Sequence, residues 1–178
     1  MQALLASCDR EAADGRRDLA MLTLLARMGL RAGEVAALGL DDIDWRCGEI
    51  TIAGNGNRRD RLPLPADAGE VVAAYLRDGR PATALDRSVF IRVKAPHRGL
   101  TPGGVTQAVA AASRRAGLGT IYAHRLRHSA ATAMLASGRS LAEIGQVLRH
   151  RRPHTTAAYT KVNVEVLRAL ARPWPGAS

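Results

Sequence analysis

Residues 123–132 read AHRLRHSAAT and form the densest group of polar, chemically capable side chains in the sequence. His124, Arg127 and His128 stand at positions i, i+3 and i+4, which places them on one face of a helix. The spacing predicts a helix over residues 124–137 whose polar side chains can converge on a single ligand.

A second polar segment, VLRHRRPHTTAAYT at residues 147–160, follows a predicted helix at 140–148. His150 precedes Tyr159 by nine residues, and Pro153 interrupts any helix between them. We therefore expect a loop or a short helix at 155–159 to let the two side chains face each other, with a further helix at 164–171.

Upstream of residue 123, the apolar spacing predicts a helix over residues 18–28 that ends at Gly29, and a second, short helix over 32–38. Arg31 lies at the junction between these helices, where it could cap the preceding one. Glu34 follows Arg31 by three residues, and we assign it a structural role that orients the arginine.

The pattern changes between residues 43 and 64. EITIAG (49–54) and RLPLP (61–65) are short extended segments on either side of the Gly/Asn-rich GNGNRRD (54–60), which predicts a β-hairpin or small sheet. The remaining predicted elements are a helix at 67–77, a strand at 88–93 (SVFIRV) and a helix from Thr101 and Pro102 to about residue 116. The fold class is therefore α+β and mainly α, with a small antiparallel sheet near the N-terminal third.

The charge of the chain indicates a polyanionic partner. The formal net charge is +10 and the isoelectric point about 11.1, and Lys94 and Lys161 are the only lysines among the 26 basic residues. Arginine binds phosphate through two parallel hydrogen bonds, and cations that neutralise phosphates release condensed counterions, so DNA or RNA is the expected partner. A genome whose base composition favours arginine codons is the alternative explanation.

Size and cysteine content indicate one soluble domain of an ordinary kind. The 178 residues are 47% hydrophobic and poor in aromatic residues, which favours packed helices of aliphatic side chains. Cys8 and Cys47 are too few for a disulfide scaffold and lack metal-type spacing. Neither a secretion signal nor a long apolar run is present in the sequence, so we expect a cytoplasmic protein.

Three segments together resemble the successive catalytic boxes of phage-integrase-type tyrosine recombinases. They are GLRAGEVAALGLDDIDW (29–45), HRLRHSAAT (124–132) and IGQVLRHRRPHTTAAYTKV (144–162). The resemblance extends from about Arg17 to Val164, and the joint occurrence of the three boxes is far more specific than any one of them. It implies a helical tyrosine-recombinase catalytic domain.

The resemblance also implies a set of catalytic residues. Arg31 and Arg127 would clamp the scissile phosphate, His124 and His150 would donate hydrogen bonds to its oxygens, and Tyr159 would attack to form a 3′-phosphotyrosyl link. Two guanidinium groups suit the negative charge that a displaced phosphodiester gathers, so neither a metal nor another cofactor is required. The implied partners are double-stranded DNA and three further copies of the chain in a tetramer on DNA, with no membrane and no small-molecule substrate.

Some of these residues have other interpretations. Tyr159 could be a packed surface aromatic, and His128 is more typical of a buried structural histidine than of a ligand. The pairs His124 with His128 and His150 with His154 have a spacing that would suit zinc. Neighbouring arginines would repel a dication, and no glutamate stands inside HRLRH as a zinc protease would require, so no metal site is predicted.

The hairpin turn departs from the family pattern. Members usually carry there a lysine that protonates the leaving 5′-oxygen, but the aligned residue in this chain is Asn55, an amide that cannot donate a proton. Arg58 and Arg59 lie nearby, but a guanidinium holds its protons too tightly to serve as a good general acid. Loss of general acid catalysis costs on the order of 10²–10⁴ in rate, so activity would be impaired while DNA binding persists.

From the resemblance we expect residues 1–178 to be the catalytic domain alone, without the separate N-terminal helical domain that these recombinases normally carry. A fragment, a truncated gene and a genuinely short protein are the alternative explanations of this length. The leading hypothesis is site-specific DNA recombination or integration through strand cleavage and rejoining. The first alternative is a catalytically weak or inactive DNA-binding remnant of an integrase. A type IB topoisomerase-like enzyme shares the chemistry and would differ by acting without a specific site.

Overall fold

The computed structural model describes residues 1–54 and 59–149. The chain divides into two units after residue 130, and the structure describes the second unit as far as Arg149. The described helices are α1 (Gln2–Ala6), α2 (Ala13–Met28), α3 (Ala32–Ala36), α4 (Ala66–Asp78), α5 (Pro102–Arg115), α6 (Ala123–Ala136) and α7 (Leu141–Val147). The strands are β1 (Ile43–Asp44), β2 (Glu49–Ala53) and β3 (Arg59–Pro63). The mainly helical α+β fold predicted from the sequence is confirmed.

Helix α2 begins five residues earlier than predicted and ends as expected at Gly29, whose φ of 60° lies in the left-handed region that glycine adopts without strain. Asp18 within α2 is only 5% exposed and is paired with Arg17 and Arg115. A charge buried inside the helix thus has two cationic partners. Ten residues of α2 are buried, and it is the central helix of the core.

Helix α3 is shorter than the predicted 32–38. It ends at Ala36 because the chain then turns so that the Leu38 carbonyl accepts the Val89 N–H at 2.8 Å. A one-turn helix followed by this long-range bond fixes the direction in which the chain leaves Arg31.

The small sheet has the strand order β1-β2-β3, and both pairs are antiparallel. Ile50 and Ile52 of β2 are each 1% exposed and turn one face of the sheet into the core, as alternation along a strand requires. Strand β3 begins at Arg59, two residues before the predicted RLPLP segment. The predicted small antiparallel sheet is confirmed, and its β2–β3 pairing places Thr51 opposite Arg61.

The predicted strand at residues 88–93 is wrong. Phe90 is fully buried, as a central strand would be, but the segment makes only isolated bridges at Ser88 and Ile91. Its backbone bonds go to different partners: Val89 N–H donates to Leu38, and the Phe90 carbonyl accepts Leu100 N–H. The apolar residues of this segment therefore indicate that it is buried, and not that it pairs with one neighbouring strand along a regular β-ladder.

The other helices match their predictions closely, and helix α1 was not predicted. Thr101 caps α5 by accepting the Gly104 N–H at 3.1 Å, and Ser140 caps α7. Helix α1 places Leu4 in the core, and Ser7 just beyond it donates to the Ala112 carbonyl at 3.1 Å. The predicted helices at 155–159 and 164–171 lie outside the described residues.

The core of residues 1–130 is mainly aliphatic, with one stacked aromatic pair, Tyr75 and Phe90, whose ring centroids are 5.6 Å apart. In the second unit, Ala131, Ile144 and Leu148 form a small buried cluster. Within the described part of the chain, none of the helices is both long and apolar enough to cross a membrane.

Candidate active site

A cleft of about 330 Å³ opens on the first unit, between three segments of the chain. They are the α2–α3 junction, helix α5 and the start of helix α6. The residues that line the cleft are Leu30, Arg31, Ala32, Thr106, Tyr122, Ala123, His124 and Arg127. Among these described residues are two guanidinium groups and one imidazole but no carboxylate, so the cleft suits an anion.

The α2–α3 junction positions the first arginine. Gly29 ends α2 in the left-handed region, Leu30 is fully buried, and Arg31 then has the extended backbone of a residue that precedes a helix. The Glu34 carboxylate accepts hydrogen bonds from the Arg31 backbone N–H at 2.8 Å and from its Nη1 at 2.7 Å. Glu34 is therefore placed to orient Arg31, as its spacing predicted.

The exposed fractions of the Arg31 and Glu34 side chains indicate different roles for the two residues. The Arg31 side chain is 46% exposed and the Glu34 side chain 6%. Because Glu34 is buried, its position is fixed by the core, and it transmits that position to a guanidinium that can still reach a ligand in the cleft.

Helix α6 positions the second arginine. Arg127 is 8% exposed, and its Nη1 donates a hydrogen bond to the Gly29 carbonyl. Gly29 lies two residues before Arg31, so one backbone segment contacts Arg127 and carries Arg31. This contact ties helix α6 to the backbone segment that carries Arg31.

His124 lies in the first turn of α6 and is exposed. Its ring stacks on Tyr122, with ring centroids 6.4 Å apart and planes inclined by 21°. His128, one turn further along the helix, is also exposed and does not line the cleft, so it is not the buried structural histidine that the sequence suggested.

Tyr122 is a cleft residue that sequence reasoning missed. It is 48% exposed, an unusual position for one of only three tyrosines in the chain. A single aromatic just before a helix belongs to no periodic pattern, so the available signal was its place two residues before His124.

Of the six site residues predicted from the sequence, the structure brings Arg31, His124 and Arg127 together at one cleft. Their arrangement can hold an anion that has several oxygens, since guanidinium and imidazole groups all donate hydrogen bonds. The other three residues, Asn55, His150 and Tyr159, lie outside the described residues.

Comparison with known proteins gives concordant matches. Residues 1–165 match the Phage integrase family. The putative integrase/recombinase y4rA of Sinorhizobium fredii is 50% identical over 176 residues, which make up 97% of this chain and 42% of that protein. The putative integrase/recombinase y4gC of the same organism is 39% identical over 179 residues, with 98% of this chain and 92% of that protein covered.

Among solved structures, the XerH site-specific recombinase bound to palindromic difH substrate in a post-cleavage complex matches with a TM-score of 0.79. The sequences are 24% identical, and the match covers 97% of this chain and 51% of that one, so this likeness shows the fold. The chain spans less than half of y4rA and about half of XerH. From the matched residues and the two curated relatives, the chain belongs to the phage integrase family of tyrosine recombinases.

Proposed function

We propose that residues 1–178 are the catalytic domain of a DNA strand transferase that performs site-specific recombination or integration. The observation that carries the proposal is the convergence of Arg31, His124 and Arg127 on one cleft that no described carboxylate lines. The ligand would be a phosphodiester of double-stranded DNA in the cytoplasm. The family resemblance adds a tetramer of this chain assembled on DNA.

The cleft residues stabilise the transition state of phosphoryl transfer. Negative charge gathers on the non-bridging oxygens of the scissile phosphate, and Arg31 and Arg127 donate to them from two sides. His124 donates a further hydrogen bond. Because Glu34 and the Gly29 carbonyl hold the two arginines before the DNA arrives, little reorganisation is needed during the reaction.

In the proposed reaction the Tyr159 phenolic oxygen attacks phosphorus, and the bond from phosphorus to the 5′-oxygen breaks. The phenol loses a proton and the leaving 5′-oxygen gains one. His150 would bind the phosphate beside His124. The covalent link conserves the energy of the phosphodiester, so a 5′-hydroxyl from another strand can reverse the step without ATP.

A second candidate function follows from Asn55, which stands where the family carries its proton-donating lysine. Arg59, at the start of β3, does not offer a substitute, because its guanidinium is paired with Asp42 and is a poor acid. On this reading the chain keeps the phosphate cleft and binds DNA, but cleaves it slowly or not at all.

Covalent trapping tests the proposal. The protein is incubated with a pool of duplexes of varied core sequence, each nicked close to the cleavage position so that the short fragment is lost after cleavage. A protein–DNA adduct that survives denaturation is expected, and Tyr159→Phe should abolish it. Asn55→Lys should increase the rate of adduct formation by about 10²–10⁴.

The chain offers a matched control for the nucleophile. Tyr75 is fully buried, whereas Tyr122 lines the cleft, so Tyr122→Phe tests whether any accessible phenol suffices. This variant should keep the adduct. If no variant forms an adduct while DNA binding persists, strand transfer is excluded and the DNA-binding remnant is the correct reading.

A further inference from the structure

Charge is distributed unevenly along the chain. Acidic residues outnumber basic ones in residues 1–86, whereas no aspartate or glutamate occurs between Asp86 and Glu143. The positive net charge of the protein therefore arises after residue 86. Within this acid-free stretch, a loop at residues 92–98, named here the basic loop, carries Arg92, Lys94 and Arg98, all exposed.

The basic loop is closed by its own backbone. Ile91 and Gly99 form an antiparallel bridge at its base, and Arg92 N–H donates to the Arg98 carbonyl at 2.9 Å. Arg98 N–H donates to the Pro96 carbonyl at 2.9 Å. These bonds hold the three cationic side chains on one short, preorganised turn.

Asp86 anchors the base of the loop. Its carboxylate accepts the backbone N–H groups of Ser88 at 2.8 Å and Gly99 at 2.7 Å. Hydrogen bonds from the side chain and backbone of Ser88, and from Gly99, lower the pKa of Asp86 to about 2, so the anchor stays ionised at neutral pH. A Cβ atom at Gly99 would approach Ser88 Oγ to 2.5 Å, so a side chain at this position would force Ser88 to move.

Several arginines elsewhere in the described part of the chain are held in ion pairs with carboxylates, unlike the cations of the basic loop. On the sheet and its neighbours, Arg59 pairs with Asp42, and Arg61 with Glu49 at 2.8 Å. Within residues 1–54 and 59–149, no ion pair involves Arg92, Lys94 or Arg98. Three like charges on a fixed turn repel one another, and a polyanion would relieve that repulsion.

We propose that the basic loop binds the sugar–phosphate backbone of duplex DNA at a position outside the catalytic cleft. A line of phosphates fits closely spaced cations, and each contact releases condensed counterions. This proposal depends on the proposed function in one respect only, which is the choice of DNA as the polyanion that the loop binds. Phosphate contacts of this kind contribute affinity and register but no chemistry.

The test replaces all three cations in the full chain, as Arg92→Gln, Lys94→Gln and Arg98→Gln together. Binding to a fluorescently labelled duplex is measured by anisotropy between about 0.05 and 0.2 M salt. If each cation contacts one phosphate, the slope of log affinity against log salt should become less steep by about 2.7. Affinity should fall accordingly, while adduct formation at saturating DNA is retained.

A control variant removes the same charge elsewhere, through Arg10→Gln, Arg46→Gln and Arg77→Gln, three exposed positions outside the loop. It should change the slope by less than 1. A charge-preserving variant, Arg92→Lys with Arg98→Lys, should bind as the unmodified chain does, which would show that the positive charge is what binds the DNA. Retained adduct formation by the glutamine variant of the loop excludes a folding defect in it. Equal slopes in the loop and control variants, or no binding of duplex DNA by the unmodified chain, would overturn the proposal.

The two proposals fail separately. Absence of a Tyr159-dependent adduct, with the loop variant still weakening binding, removes strand transfer and leaves the basic loop as a DNA contact. A Tyr159-dependent adduct in the unmodified chain, with loop and control variants binding alike, removes the loop contact and leaves strand transfer.

Discussion

The two walls of the cleft hold their arginines in different ways. On the wall formed by the α2–α3 junction, Arg31 is about half exposed and binds the carboxylate of Glu34. On the wall formed by α6, Arg127 is 8% exposed and binds the carbonyl of Gly29. The first contact is an ion pair between two charged groups, whereas the second is a hydrogen bond from a charged group to a neutral carbonyl.

This difference separates two tasks. A guanidinium paired with a buried carboxylate is oriented, but part of its charge is already compensated. A buried guanidinium bound to a carbonyl also joins two distant parts of the chain, because Arg127 and Gly29 are 98 residues apart. We therefore expect Arg127 to act in both stability and catalysis, and Arg31 mainly in catalysis.

The largest effect is expected for Arg127→Ala. Adduct formation should slow on the order of 10³-fold, as when one preorganised donor to a transition state is lost. The free energy of unfolding should also fall by about 1–3 kcal/mol, because the Gly29 carbonyl is left without this donor in a buried setting. Trapping kinetics and urea denaturation measure the two quantities. An unchanged free energy of unfolding would contradict the anchoring role.

Arg31→Lys comes next. Lysine keeps the charge beside Glu34, so the free energy of unfolding should change by less than about 0.5 kcal/mol. The planar fork is lost, however, and adduct formation should slow by roughly 10- to 100-fold. If Arg31→Lys destabilises the protein as much as Arg127→Ala does, the contrast between the walls does not hold.

The sequence predicted the two walls unequally. Helical spacing, Gly29 and the i, i+3 position of Glu34 were enough to place Arg31 and its partner, because these signals are local. The contact between Arg127 and Gly29 joins residues too far apart in sequence for any periodic pattern to reveal. The strand predicted at 88–93 was wrong for the same reason: apolar residues report burial, but the choice of hydrogen-bond partners is made by distant segments.

Glu34→Gln tests the orienting contact with a smaller change. The amide oxygen can still accept the Arg31 backbone N–H, but the charge-assisted bond to Nη1 is weakened, so adduct formation should slow by about 3- to 10-fold. The free energy of unfolding should fall by about 1 kcal/mol. If Glu34 had a purely structural role, the effect of Glu34→Gln on the rate of adduct formation would simply add to the effect of Arg31→Lys. In the double variant we expect clear non-additivity in the rate of adduct formation, and additive effects would exclude positioning through Arg31.

The smallest effect is expected for Tyr122 on the α6 wall. Tyr122 contacts His124, just as Glu34 on the opposite wall contacts Arg31, and both contacted side chains are proposed to bind the phosphate. The ring of Tyr122 stacks on His124 and limits the orientations of the imidazole. Aromatic pairs of this kind contribute about 0.5–1.5 kcal/mol, so Tyr122→Leu should slow adduct formation by roughly 2- to 10-fold.

Tyr122→Phe is the matched variant, because it keeps the ring and removes the hydroxyl. It should retain both the rate of adduct formation and the ring-current shift of the His124 ring protons in NMR spectra, whereas Tyr122→Leu should lose that shift. Equal rates in the Leu and Phe variants would show that stacking does not position His124. The α6 wall would then act through Arg127 without help from its aromatic neighbour, and the orienting contact of Glu34 would have no counterpart across the cleft.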